Sequence, residues 1–208
     1  YVPTRRSSPA PERTAVRDLL DLLLAAKKPI LYAGQGVIYA EAWDELKAFA
    51  EFLQIPVMTS LNGKGAFPEN HPLSIGAANG LSRADQVNYF LGAGDLFFGI
   101  GTSFTRSIFI APFPKGKTFT QICMDEGDFN KDYATTLGVL GDAKAALAML
   151  LEEARERLGK AVDPGDGGAQ EVQAQKGAFF EAWNAKLTSG EKPISPYRVI
   201  SELKQLLD

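Results

Sequence analysis

The 208-residue chain has one cysteine, Cys123, one histidine, His71, and only three methionines. A single cysteine excludes an internal disulfide and a cysteine-rich zinc site. A single histidine excludes the paired-histidine metal motifs. No apolar stretch approaches the roughly 20 residues of a membrane-spanning helix, and Tyr1-Val2-Pro3-Thr4-Arg5-Arg6 lacks the apolar centre of a secretory signal. Positive charge is also scarce: 22 Lys and Arg face 25 Asp and Glu, for a net charge of -3. Without a basic field, nucleic acid is not an expected partner. What remains is ordinary globular composition, 45% hydrophobic and 23% charged. The expectation is a soluble, cytoplasmic protein with no membrane partner.

The apolar pattern is regular from Glu12 onward. Val16, Leu19, Leu20 and Leu23 recur at helical spacing and predict a helix over 12–27. Pro29 ends it, and Ile30-Leu31-Tyr32-Ala33 reads as a short buried strand closed by Gly34. Trp43, Leu46, Ala50 and Leu53 predict a second helix, followed by a strand at 56–59. Residues 61–80, rich in glycine, proline and asparagine, read as a long irregular loop of the kind that is functional or disordered. A helix over 82–91 ending at Gly92, strands at 95–101, 118–124 and 136–140, and a helix over 143–158 capped by Asp142 complete the pattern.

Strands that are unbroken apolar runs and alternate with helices mean a sheet covered on both faces. The predicted fold is therefore a doubly wound α/β domain, Rossmann-like, with a mostly parallel sheet of five or six strands. Such sheets bind ligands beyond the carboxyl ends of their strands. Those ends carry Gly34-Gln35-Gly36, Ser60-Leu61-Asn62-Gly63, Gly101-Thr102-Ser103 and Asp125.

Gly34-Gln35-Gly36 follows a strand, as in dinucleotide sites, but Tyr39 stands where a third glycine is needed. The second strand ends in Met58-Thr59-Ser60 without the acidic residue that holds a nicotinamide ribose, which disfavours that class. Two readings stay open: a tight turn that needs glycine, or a loop whose amides hold a phosphate. Asp125 divides likewise between a ribose contact and the cap of a short turn. His71, between Asn70 and Pro72 in a loop with no recognisable carboxylate partner, reads as a turn or hydrogen-bonding residue rather than a base, and Cys123 lies inside an apolar strand as a small buried hydrophobe. No nucleophile–base pair, carboxylate dyad or metal cluster emerges, so neither catalytic nor metal-binding residues are assigned.

Several stretches in order resemble the central domain of thiamine-diphosphate-dependent enzymes of the acetolactate synthase and 2-keto-acid decarboxylase type. They are Lys28-Pro29-Ile30-Leu31-Tyr32-Ala33-Gly34-Gln35-Gly36, the run from Ile55 through Asn62-Gly63-Lys64-Gly65 to Leu73, Asp95-Leu96-Phe97-Phe98-Gly99-Ile100-Gly101, Ile122-Cys123-Met124-Asp125 with Asp128-Phe129-Asn130-Lys131, and Gly141-Asp142. The resemblance spans 12–158. It implies a parent enzyme with pyrimidine- and pyrophosphate-binding domains in the same chain, a homo-oligomeric assembly, and thiamine diphosphate with Mg2+ held by those other domains.

Domain boundaries follow: 1–11 a linker with three prolines, 12–158 the central domain, 159–192 a linker with one helix (171–187), and 193–208 the opening of a truncated pyrophosphate-binding domain. A start without Met and an end in mid-helix pattern suggest an excised piece. The alternative is a free-standing nucleotide-binding regulatory module.

The resemblance also implies FAD or ADP in the central domain. Gly34, Gln35 and Gly36 would then face the pyrophosphate, Ser60 and Leu61 the flavin or its linker, and Asp125 and Asp142 the adenosine. Ser103 replaces an arginine common in flavin-binding members, Cys123 the first acid of an Asp-x-Asp pair, and Asn79 a histidine. An empty or weakly nucleotide-binding cleft is the resulting expectation.

Overall fold

The computed structural model describes residues 8–80, 84–165 and 167–207. Helix α1 (Arg13–Ala25) buries Val16, Leu19, Leu20 and Leu23, the stripe visible in the sequence. Strand β1 (Pro29–Ala33) follows. The amides of Lys27 and Lys28 ahead of it donate to the Asp95 carboxylate at 2.8 and 2.9 Å. Burial alone would raise the Asp95 carboxyl, but these amides hold it below its ordinary value. Asp95 immediately precedes strand β4 (Leu96–Ile100), so one side chain pins the start of β1 beside the start of β4.

A short helix α2 (Gln35–Tyr39) and α3 (Trp43–Leu53) lead to β2 (Val57–Thr59). Strand β3 (Ser74–Ala77) and α4 (Asp85–Ala93) precede β4. Strand β5 (Thr118–Cys123), a single 3-10 turn (Glu126–Asp128), β6 (Leu137–Leu140) and α5 (Ala143–Leu158) complete the alternation. The six strands run β3-β2-β1-β4-β5-β6, every pair parallel, as the apolar runs predict.

Period-2 alternation divides the core in two. Leu31, Ala33, Phe98, Ile100 and Ile122 face α1, α3 and α5, whereas Ile30, Tyr32, Met58, Phe97 and Phe119 face α4 and an aromatic cluster. Phe97 and Phe98 are both fully enclosed, on opposite faces.

Several element ends shift by one or two residues, and two departures have a clear physical reason. The predicted loop 61–80 contains β3, which the sequence hides because Ser74-Ile75-Gly76-Ala77 has one large apolar residue and sits at the sheet edge. Its pairing with β2 is irregular, and Gly76 has φ +106°. The predicted stop at Gly92 is passed: α4 continues to Ala93, since a glycine in an exposed last turn costs little. The predicted helix start at Ser82, and residues 1–7 of the expected linker, lie outside the described residues.

Beyond α5, helix α6 (Ala169–Leu187) docks on the α4 side of the sheet and α7 (Pro196–Leu206) packs on α6. Val172 is wholly buried in the second core, and Glu171 accepts from Lys28 Nζ at 2.6 Å and Tyr89 Oη at 2.5 Å. Lys176 Nζ and Gln173 Nε2 reach the carbonyls of Glu69 and Pro72. Among the described residues no helix is long and apolar enough to cross a membrane.

Candidate functional site

The chain leaves β1 toward β2 on one side and returns to β4 on the other, which opens a crevice at the carboxyl ends of β1 and β4. A cleft of about 810 Å3 occupies this edge. Gln35, Gly36, Ser60, Leu61 and Asp142 of the predicted site all line it. Gly34 and Asp125 do not. Asp125 is exposed and accepts from the Gly127 amide at 2.8 Å, capping the 3-10 turn.

The glycines of β1's end serve close backbone approach. A Cβ on Gly34 would lie 2.2 Å from the Gly101 carbonyl oxygen, and one on Gly36 2.6 Å from Gly101 Cα. Gly101 itself has φ +59°, a left-handed conformation that suits glycine. The Gly34 amide donates to Ile100 O at 2.8 Å, Gly36 to Gly101 O at 2.9 Å, and Val37 to Gly34 O at 3.2 Å. Of the two readings left open for this turn, these bonds match the tight turn for Gly34, Gly36 and Val37. The loops after β1 and β4 cross so closely that they satisfy each other's polar groups.

Ser60 is similarly engaged: its amide donates to Ala33 O at 2.9 Å and its Oγ accepts from Gly63 at 2.9 Å. Asp142 caps α5, accepting from the Ala145 amide at 3.1 Å.

Sequence reasoning passed over Gln121, a fully buried amide in β5 that holds the cleft walls. Its Nε2 donates to Thr102 O at 3.2 Å and Asp128 O at 3.0 Å, and its Oε1 accepts from Thr135 Oγ1 at 2.6 Å. The loop after β4 and the turn after β5 are thus tied to one side chain. The signal was a lone glutamine inside an apolar strand. Cys123 donates through Sγ to Thr102 O at 3.0 Å, and burial pushes its thiol up, so it is no ready nucleophile.

Tyr32 packs against Phe104 (5.5 Å between ring centroids) and Phe113 (5.3 Å), which also touch each other, and all three line the cleft. The Tyr32 hydroxyl is buried with no hydrogen-bond partner, and burial raises its ionisation far enough to keep it a neutral phenol. Arg106 does not line the cleft: its amide donates to Asp132 Oδ2 at 2.7 Å and its guanidinium lies over the Tyr133 ring at 4.8 Å.

His71 does find a carboxylate. Its Nε2 lies 3.0 Å from Glu51 Oε1, and its Nδ1 accepts from the Leu73 amide at 3.1 Å, which leaves the ring proton on Nε2. The pair ties the loop before β3 to α3, away from the cleft. Among the described residues no group of three or more His, Cys, Asp or Glu side chains is placed to hold a metal ion.

The family model of the thiamine pyrophosphate enzyme central domain matches residues 16–150. This chain belongs to that family. The central domain is 34% identical over 159 residues to a glyoxylate carboligase of Escherichia coli O157:H7, covering 75% of this chain and 27% of that protein. It is 30% identical over 217 residues to a probable acetolactate synthase large subunit of Methanococcus aeolicus, covering 100% and 35%. Among solved structures it resembles benzoylformate decarboxylase from Polynucleobacter necessarius, with a TM-score of 0.64 and 26% identity over 78% of this chain and 30% of that one. The chain therefore spans about a third of the length of such relatives.

Proposed function

We propose that this chain is the non-catalytic central domain of a thiamine-diphosphate-dependent carboligase or decarboxylase that acts on 2-keto acids in the cytoplasm. The family match supports the first half of that reading. The likeness to carboligases and to a decarboxylase supports the second. In the whole protein, pyrimidine- and pyrophosphate-binding domains of the same chain would hold thiamine diphosphate and Mg2+, and the assembly would be a homo-oligomer. Residues 193–208 would open the pyrophosphate-binding domain, with 159–192 as the link.

Bound thiamine diphosphate supplies the carbanion chemistry by which a 2-keto acid loses carbon dioxide. This chain's own residues contribute a six-stranded parallel scaffold and a cleft walled by Gln35, Gly36, Ser60, Leu61 and Asp142, with Gly34 and Asp125 outside its lining. No lysine or arginine lines the cleft among the described residues, and the amides of Gly34, Gly36 and Ser60 are engaged by protein oxygens, which supports at most weak binding of the diphosphate of FAD or ADP.

Calorimetric titration of the 208-residue chain with thiamine diphosphate and Mg2+ tests this reading. The expected result is no binding and no turnover of pyruvate or glyoxylate, with both appearing in the protein encoded by the complete reading frame. A stoichiometric heat signal from the chain alone, or a complete protein indifferent to thiamine diphosphate, would overturn it.

A further inference from the structure

Several lysines of this chain meet carboxylates: Lys28 pairs with Glu171, Lys64 with Glu69, Lys131 with Asp128 and Lys144 with Glu45. Lys176 on α6 does not. Its Nζ donates to the backbone carbonyl of Glu69 at 2.7 Å, and no carboxylate pairs with it among the described residues. The Glu69 carboxylate itself is taken by Lys64 at 3.2 Å. The Lys176 side chain is partly buried where α6 meets the loop before β3. Phe180 stands one turn further along the same face of α6. The Lys204 ammonium of α7 lies 4.7 Å from the centroid of that ring, so a second cation overhangs this part of α6.

Burial first, and then the Lys204 charge, hold the Lys176 ammonium below its ordinary value, against a smaller opposing pull from Glu69. Lys28 and Lys131 are shifted the other way by the hydrogen bonds to their carboxylates. A neutral amine at Lys176 keeps an N–H for the Glu69 carbonyl and has a lone pair left for an electrophile.

We propose that Lys176 is a site of reversible carbamate formation with carbon dioxide, coupled to the packing of α7 on α6. The Nζ lone pair forms a bond to the carbon of carbon dioxide. One C–O π bond opens and places a negative charge on oxygen, and the nitrogen releases one proton to solvent. The carbamate retains one N–H for Glu69. It also turns the repulsion between two cations into an ion pair with Lys204. The amine chemistry stands apart from the function proposed above, and only the supply of carbon dioxide by a decarboxylating parent enzyme rests on that reading.

The test is incubation of the 208-residue chain in isotopically labelled bicarbonate at about pH 8, capture of carbamates with a trialkyloxonium reagent, and peptide mass mapping. An ordinary lysine, titrating near about 10.4, is less than about 1% neutral there, whereas the N-terminal amine, near about 8, serves as the internal reference. Lys176 should carry the tag several-fold above every other lysine, and Lys176→Arg should lose it while keeping a charge and a donor for Glu69. Lys204→Gln should lower the Lys176 tag several-fold, because it removes both the repulsion that favours the neutral amine and the partner of the carbamate. Amide exchange in α7 should be slower in bicarbonate than in chloride at equal ionic strength, and equal in the two for Lys176→Arg. A tag confined to the N-terminal amine, or spread evenly over the lysines, would overturn the carbamate site. A Lys176 tag that Lys204→Gln leaves unchanged, or α7 exchange indifferent to bicarbonate, would overturn the coupling to α7. None of these outcomes bears on the thiamine diphosphate titration. Should Lys176→Arg fail to fold, the wild-type map decides alone.

Discussion

Phe98 in β4 and Ile200 in α7 are both large apolar residues on regular elements, yet Phe98 is 0% exposed and Ile200 65%. The contrast holds for their surroundings. Every residue of β4 is buried, and the strand pairs on both sides with β1 and β5. No residue of α7 is buried, and Leu206 is 78% exposed. Between these extremes, α6 is anchored by the single buried Val172 and by polar contacts through Glu171, Gln173 and Lys176. The α/β unit thus carries its own apolar core, whereas the helix pair is held at its near end and presents apolar surface at its far end. Stability should fall along the chain accordingly.

The largest expected effect comes from emptying the sheet. Phe98→Ala should cost about 3–5 kcal/mol, the range for deleting a buried aromatic side chain. Chemical denaturation should report it as one cooperative loss that includes α1, α3 and α5. A cost under roughly 1 kcal/mol would mean that the core is less tightly enclosed than its burial indicates.

A smaller, local effect is expected where the two regions meet. Val172→Ala removes a few buried carbon atoms, worth about 1.5 kcal/mol. Amide exchange should accelerate throughout α6 and α7 and stay unchanged in β1, β4 and β5. Acceleration spread evenly over the chain would erase the distinction between the regions.

Acid should produce the smallest change. The Glu171 carboxyl is held below its ordinary value, first by the hydrogen bond from Lys28 and then by that from Tyr89. A carboxyl depressed on folding stabilises above its unfolded value, about 4.3 for glutamate, and loses that contribution as pH falls through the folded value. Protection of α6 should therefore decline below the ordinary glutamate range. Because Asp95 is depressed too and acts in the same direction within the sheet, Glu171→Gln is the control. It should remove the acid dependence of α6 and leave that of β1 and β4. An unchanged α6 profile in that variant would assign the acid response elsewhere.

Legibility followed the strength of the apolar signal. The Val16, Leu19, Leu20, Leu23 stripe and the run from Leu96 to Ile100 each had one physical solution, a buried helix face and a central strand. Strand β3 was invisible because an edge strand built on Ser74, Ile75, Gly76 and Ala77 needs little apolar content and takes its pairing from β2. At the candidate site, the cleft's edge could be placed from the strand ends alone, since parallel connections bring them to one side. The state of its amides could not, because Gly36 and Gly101 are far apart in sequence and bond only after both strands are in register. The partner of His71 was hidden for the same reason, Glu51 lying on another element.

By itself the sequence determined which segments must be buried, in what order they alternate, and hence a parallel sheet whose strand ends meet at one edge. Hydrophobic period and run length are local properties that burial must satisfy. Only the tertiary structure decided which polar groups at that edge are engaged by the protein and which are not. Gly34 and Gly36 spend their amides on the β4 loop, Asp142 meets the positive end of α5, and the Tyr32 hydroxyl is left without a partner. Hydrogen bonds between loops depend on distances across the fold, which no single stretch of chain encodes.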